Sequence, residues 1–274
     1  MMGRNKKKTY FIGILGIILA LLWISPFYLM VVNSFKEKRE IFTDTLGLPD
    51  KFTFDNYIEA FKQLDFLKTL FNSVLITVVA VIVIVVFSSM AAYALSRRKS
   101  KMTGFIFFLF VAAMLIPFQS VMIPLISVFG KMELLNRFGI ILMYLGFGSS
   151  LSIFLYHGTL TGISKSLDEA ATIDGANRFQ VFWYIIFPML KPITVTVAIL
   201  NIIWIWNDYL LPSLVINKEG METIPLKMFF FFGEYTKQWH LALAGLTIAI
   251  IPVIIVYFFL QKQIIKGVSE GSVK

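Results

Sequence analysis

Six stretches of the chain stay apolar long enough to cross the hydrocarbon core of a bilayer as helices, a distance of about 30 Å that takes around 20 residues. They cover residues 10–32, 70–95, 104–128, 139–156, 192–214 and 241–260. The polar intervals between them are short. The longest, 33–69, is shorter than the roughly 40 residues below which an unaided soluble core becomes hard to form. Over Asp55–Phe71, Tyr57, Phe61, Leu64 and Phe71 repeat with Glu59, Lys62 and Asp65 between them. That spacing predicts a short amphipathic helix over 55–71, lying along a membrane surface. The pattern as a whole predicts an all-α integral membrane protein with six transmembrane helices.

The spans are not uniform rods. Pro117 and Pro124 fall inside the third, where each removes a helical hydrogen bond. The fourth carries Gly139, Gly146, Gly148, Ser149, Ser150 and Ser152. Small residues let backbones approach closely where lipid supplies no hydrophobic drive between helices, so this span is expected inside a bundle.

Composition sharpens the membrane reading. The chain is 58% hydrophobic and 15% charged, against about 25% charged in a soluble domain. A net charge of +9 could point to nucleic acid, but the basic residues gather in short loops beside apolar segments, which is an orientation signal. With both termini cytoplasmic, the clusters Arg4/Lys6/Lys7/Lys8 and Arg97/Arg98/Lys99/Lys101 both lie inside, and 14 of the 25 Lys and Arg fall in inner segments. The first apolar run is too long for a signal peptide core and no A-x-A site follows it, so it is expected to be retained as a span. These features place the chain in the cell membrane as a multi-pass protein.

Chemistry of its own is hard to find. There is no cysteine, hence no disulfide, thiolate nucleophile or Cys-ligated metal. No G-x-x-x-x-G-K-[ST] loop occurs to cradle ATP phosphates. His157 and His240 stand alone, whereas metal sites gather several ligands. No catalytic, cofactor or metal site is expected, and no nucleic-acid partner.

The most informative interval is the loop 158–191, between spans four and five. Ser166-Leu167-Asp168-Glu169 fits a capping box, in which the Ser166 hydroxyl takes the amide of Glu169 and the Glu169 side chain reaches back. Ala170 and Ala171 continue the helix with side chains small enough to admit another protein's backbone. Gly175 stands where a left-handed residue ends a helix. Phe179, Phe182, Trp183 and Ile186 then recur at helical spacing until Pro188 and Pro192. The local product is helix, turn, helix. Taken by itself, this is also what a well-capped connecting loop looks like.

The spacing Glu169-Ala170-Ala171, Gly175, Ile185, Phe187, Pro188 resembles the E-A-A, three residues, G, nine residues, I-x-L-P signature of the membrane subunits of bacterial ABC importers, with Phe187 in place of the usual Leu. The resemblance covers nearly the whole chain and narrows to the sugar-importing branch similar to the second membrane subunit of the maltose transporter. It includes Asp55-Asn56-Tyr57, Asn72-Ser73, Ala92 to Arg97, Asp174-Gly175-Ala176, Trp206-Asn207-Asp208-Tyr209-Leu210-Leu211-Pro212 and Gln263-Ile264-Ile265-Lys266-Gly267. One departure is Ile163-Ser164, where that branch usually has Ile-Pro.

The resemblance implies a permease subunit of an ATP-driven importer of a di- or oligosaccharide, not an enzyme, with ATP used by a partner. The implied partners are a second homologous membrane subunit, two copies of a cytoplasmic ATPase, and an external sugar-binding protein. The helix carrying Glu169, Ala170, Ala171, Asp174 and Gly175 would couple this chain to the ATPase. The implied organisation is 1–69 as a first span with an external segment, 70–262 as a five-helix core containing the coupling loop, and 263–274 as a cytoplasmic tail.

For the sugar path, span five offers Trp206, Asn207, Asp208 and Tyr209, since an ionisable group within a span is a functional hypothesis by default. Asp208 has a second reading, as a group that only bonds neighbouring helix ends. Gln119, Tyr144 and Asn201 are further polar groups within spans, suited equally to interhelical bonds. Two other classes remain open: an ABC importer subunit for a non-sugar solute, and a self-contained secondary transporter or channel. The latter usually carries coupling charges in mid-span, where this chain has only Asp208, near a span end.

Overall fold

A computed structural model describes residues 6–216, 218–233 and 237–272, without the side chains of 6–9, 259–260 and 262–272. Arg4 and Lys274, and the side chains of Lys6, Lys7, Lys8 and the 263–267 motif, lie outside the described residues. The described chain is helical almost throughout and falls into two compact units.

The first unit spans residues 1–66 and 227–255. It opens with α1 (Lys6–Ser34), whose side chains from Tyr10 to Tyr28 are all exposed. The short helices α2 (Lys38–Thr43) and α3 (Asp55–Gln63) follow. The expected amphipathic helix is thus cut short: Asp65 takes φ +45° and a new helix begins at Phe66. Its buried stripe is also shifted, to Asn56, Ala60 and Leu64, while Phe61 and Phe71 are 39% and 63% exposed. The reason is polar. Asn56 donates to the carbonyls of Ser34 at 2.9 Å and Lys36 at 2.8 Å, satisfying the open end of α1. Tyr57 shares a hydrogen bond with the Ser34 hydroxyl, and Phe35 packs against the rings of Phe52, Phe54 and Tyr57.

The second unit spans 67–226 and 256–274. Its frame is α4 (Phe66–Arg97), α5 (Lys101–Ala113), α6 (Phe118–Lys131) and α7 (Arg137–Thr161). The expected third span is two helices bent by 105°. The break is at Pro117, which precedes α6 in extended conformation and disfavours helix in the residue before it. Pro124 stays inside α6.

Next come α8 (Ser166–Ile173), α9 (Arg178–Met189), α10 (Lys191–Trp206) and α11 (Leu210–Val215); α12 (Ile224–Met228) and α13 (Trp239–Ser272) follow in the chain, their residues from Lys227 to Ile255 belonging to the first unit. The expected fifth span 192–214 is likewise interrupted, because α10 stops at Trp206; the second bent pair is α9 with α10, at 78°. Among the described residues four helices are long and apolar enough to cross a membrane, or six if each bent pair crosses as one.

The small-residue span is central, as expected. α7 packs against α5, α10 and α11 and buries Gly139, Gly148, Ser150 and Ser152. A Cβ at Gly139 would collide with the Leu134 carbonyl, and one at Gly148 with Asn201 and Ile84. Polar bonds supplement this close packing: Asn201 donates to Ser152 Oγ at 3.2 Å, and Tyr156 to Thr194 Oγ1 at 3.1 Å. Two apolar clusters result. One contains Ile84, Met143, Tyr144 and Ile205; the other contains Ala92, Tyr156, Ala171 and Ile186.

Candidate functional site

The motif spacing of the loop 158–191 resolves into a short exposed helix with one buried side. Glu169, Ala170, Thr172, Ile173 and Asp174 are all exposed, Ile173 at 86%. Ala171 is not: at 7% exposure it belongs to the apolar cluster of Tyr156, Val181 and Ile186. Its small size therefore serves packing within this chain, a correction to the expectation that both alanines face a partner. Glu169, Ala170, Thr172 and Ile173 lie on the open side of the helix, and Ser166 and Leu167 of its first turn are exposed as well.

The capping box also sits elsewhere. Ser166 is the first helical residue, after Lys165, and no side chain caps the start of α8. Ser166 instead bonds the Ser164 hydroxyl at 2.7 Å, and that hydroxyl accepts the Ser166 amide at 3.2 Å. Ser164, standing where the resembled branch has proline, has taken over the entry turn. A full box forms at α9, where Asn177 accepts the Gln180 amide at 3.0 Å and Gln180 accepts the Asn177 amide at 2.8 Å. Gly175 has φ +89°, the left-handed geometry expected of it.

α9 widens into a π-helical turn over Val181–Ile186, a form that marks functional segments more often than plain helix. Trp183 lies 5.0 Å from Phe182 and 5.0 Å from Phe187, so the departing Phe187 joins an aromatic cluster.

Three residues outside the expected site organise it. Arg97 and Asp168 form an ion pair, Nη2 to Oδ2 at 2.9 Å and Nε to Oδ1 at 3.2 Å. Tyr93 donates its hydroxyl to the same Asp168 Oδ1 and lies beneath the guanidinium, 5.6 Å from ring centre to Cζ. Arg97 Nη1 also donates to the carbonyls of Ile163 at 3.0 Å and Leu160 at 3.3 Å, completing the C-terminal end of α7 as a cation should. Lys165 returns a bond to the Arg97 carbonyl at 2.9 Å. The run Ala92 to Arg97 carried this signal, since Tyr93 and Arg97 are four apart and share one helix face. A cavity of about 780 Å³ opens beside the clamp, walled by Met90 and Ala94 of α4 and Phe182 of α9, with Arg98 and Arg178 at its edge.

The second group of expected residues is only partly gathered. Tyr144, 1% exposed, donates to Asp208 Oδ2 at 3.0 Å and stacks edge-on to Trp204 at 5.4 Å. Asp208 Oδ1 accepts the amides of Leu210 at 3.0 Å and Leu211 at 3.4 Å, bridging the break between α10 and α11. Asn207 closes α10 by donating to the Ile203 carbonyl at 2.7 Å. Trp206 and Tyr209 are half-buried, and Gln119 is exposed on the first turn of α6.

The Asn72-Ser73 pair has a similar anchoring role. Asn72 donates to the carbonyls of Gly220 and Glu222 at 3.1 and 3.0 Å and accepts Arg137 at 2.6 Å. Ser73 Oγ accepts the Ile224 amide at 2.8 Å. Together they fix the loop before α12.

Comparison with known proteins places this arrangement. A family model described as "Binding-protein-dependent transport system inner membrane component" matches residues 84–270. The chain is 57% identical, over 97% of its length and 97% of the relative's, to the probable starch degradation products transport system permease protein of Thermoanaerobacterium thermosulfurigenes. It is 37% identical over the full length of both chains to the multiple sugar-binding transport system permease protein of Streptococcus mutans. It is 33% identical, again over both full lengths, to the melibiose/raffinose/stachyose import permease protein of Bacillus subtilis. Among solved structures it resembles a chain of a bacterial ABC transporter involved in the import of the acidic polysaccharide alginate, with a TM-score of 0.79 and 26% identity. That match covers 96% of this chain and 99% of the other.

Proposed function

Because the chain belongs to the family of binding-protein-dependent transport system inner membrane components, we propose that it is the permease subunit of an ATP-driven importer of oligosaccharides. It forms half of a translocation path with a second, homologous membrane subunit. Two copies of a separate cytoplasmic ATPase supply the energy, and an external binding protein delivers the sugar. Oligosaccharides of the kinds named for its relatives, starch degradation products foremost, are the substrate class.

In this reading each bent helix pair crosses the membrane once, giving six spans with both termini in the cytoplasm. Residues 1–69 supply the first span and an external segment, 70–262 the five-helix core, and 263–274 an inner tail. The fully exposed face of α1 lies against lipid or the partner subunit. α8 is the coupling helix, and the observation that carries the proposal is its open face. Glu169, Thr172 and the 86%-exposed Ile173 offer one charge and one bare apolar side chain on a helix anchored from behind, which suits insertion into a cleft of another protein. Gly175 and Asp174 end it without crowding that face. Asp208, with Tyr144, Trp206, Asn207 and Tyr209 around it, lines the sugar path, and Gln119 is a further polar group along it.

The test is purification of the tagged chain from its own host, followed by mass spectrometry of what remains bound. A second six-span protein and an ATPase are expected, with hydrolysis stimulated by binding protein plus maltose, maltotriose or raffinose. Recovery of the chain alone, even after cross-linking from residue 169, would instead support a channel or secondary transporter.

A further inference from the structure

α8 is eight residues long and is joined to its neighbours by two short connections, the first of them tied to α4 by the Arg97–Ile163 and Lys165–Arg97 bonds. The turn 162–165 leads in, and Gly175, in the left-handed region with open space around it, leads out. The Gly175 joint can absorb rotation and pass little of it on. What holds α8 firmly is lateral: on one side Ala171 packs in the apolar cluster that also contains Ala92 of α4, and on the next side a polar clamp grips it. Asp168, one residue before Glu169, is gripped by Arg97 and Tyr93 of α4, and Arg97 is held in turn by the carbonyls of Leu160 in the last turn of α7 and of Ile163 just beyond it. The side chains of Arg97 and Asp168 are 16% and 17% exposed, so the pair is sheltered from solvent and strengthened by it.

We infer that the Tyr93–Arg97–Asp168 clamp is the link through which displacement of α8 reaches α4. This rests on the reading of α8 as the helix that docks on the ATPase. Tyr93, Arg97 and Asp168 are positioning residues: they touch neither sugar nor ATP. The geometry suits the task because α4 is a single helix of 32 residues, about 48 Å at 1.5 Å per residue. A push at its Arg97 end therefore moves its far end as well. Asp168 and Glu169 lie 100° apart on α8, so one side of the helix faces the partner while the adjacent side holds the clamp.

The experiment uses the complete complex in proteoliposomes and reads sugar taken up per ATP hydrolysed. Because the chain has no cysteine, a cysteine at Thr172 also reports docking, by cross-linking to the ATPase. Asp168→Asn and Arg97→Gln are expected to keep the cross-link while uptake per ATP falls about fivefold, within the range seen for residues that carry coupling. Tyr93→Phe, which removes one hydroxyl and no bulk, is expected to fall less. Arg97→Lys, which retains the charge, is expected to recover part of the loss. The Asp168→Asn/Arg97→Gln double variant is expected to be no worse than the worse single one, since both break one link.

Unchanged uptake per ATP in Asp168→Asn overturns the inference, as does additivity in the double variant. Loss of the cross-link in Asp168→Asn also overturns it, by giving the clamp a role in placing α8 rather than in transmission. Absence of the cross-link in the otherwise unaltered chain would instead remove the docking reading itself, and the clamp inference with it.

Discussion

Ala170 and Ala171 are adjacent, identical and in opposite surroundings, the first exposed and the second 7% exposed within an apolar cluster. Sequence alone assigns them the same role, because the spacing that marks the motif is silent about which side the rest of the chain occupies. They separate under one substitution. Ala171→Leu overfills a packed site and is expected to cost about 1–3 kcal/mol of stability, read as a lowered thermal unfolding midpoint of the detergent-solubilised chain. Ala170→Leu is expected to leave that midpoint in place and to lower stimulated ATP hydrolysis in the complex. Equal midpoints for both variants would contradict the assignment of faces. The misplaced capping box has a related cause. Ser166 and Asn177 both begin runs that satisfy the pattern; the box forms at Asn177, while the Ser166 amide is taken by the Ser164 hydroxyl.

At the scale of elements, the break between α10 and α11 shows what a polar residue within an apolar segment can do. Burying free amides in lipid is costly, and Asp208 accepts two of them while Tyr144 fixes its other oxygen. This is the helix-end role foreseen beside the sugar-contact one. Asp208→Asn keeps an oxygen for the cap and weakens the bond from Tyr144, whereas Asp208→Ala also loses the cap, worth about 1 kcal/mol. The expected order of thermal stability is therefore wild type, Asn, Ala. A raised sugar KM in Asp208→Asn, absent in Tyr144→Phe, would add direct sugar contact to the structural role. Equal stability of the Asn and Ala variants would remove the capping account. The existence of the long helices was legible because an apolar run of that length has few alternatives. Their breaks were less so. Pro117 announced one, but the stop at Trp206 depends on Asp208 finding Tyr144 on a helix 64 positions away in sequence, and periodicity carries no such information. The same holds for Tyr93 and Arg97: their run stands out in the sequence, yet its partner Asp168 lies 71 residues from Arg97.

For the whole molecule, orientation decides whether α8 meets a cytoplasmic ATPase at all. Its basis is electrostatic: short loops rich in Lys and Arg stay inside, and the Arg97, Arg98, Lys99, Lys101 cluster includes the arginine of the clamp that holds α8. The two observations share one consequence, since a chain inserted the other way would present Glu169 and Ile173 to the outside. A chain free of cysteine makes this directly measurable with single cysteines and a membrane-impermeant maleimide. Cysteines at Lys99 and Ile173 are expected to react only in inverted vesicles. A cysteine at Phe52, 65% exposed in the segment after α2, is expected to react in intact cells. Reaction of Ile173→Cys from the outside would reverse the topology and end the case for α8 as the coupling helix. Labelling of Lys99→Cys and Ile173→Cys from opposite sides would show that the number of crossings between them is odd. The bent pair α5–α6 would then re-enter on one side without spanning, and the permease would have fewer than six crossings.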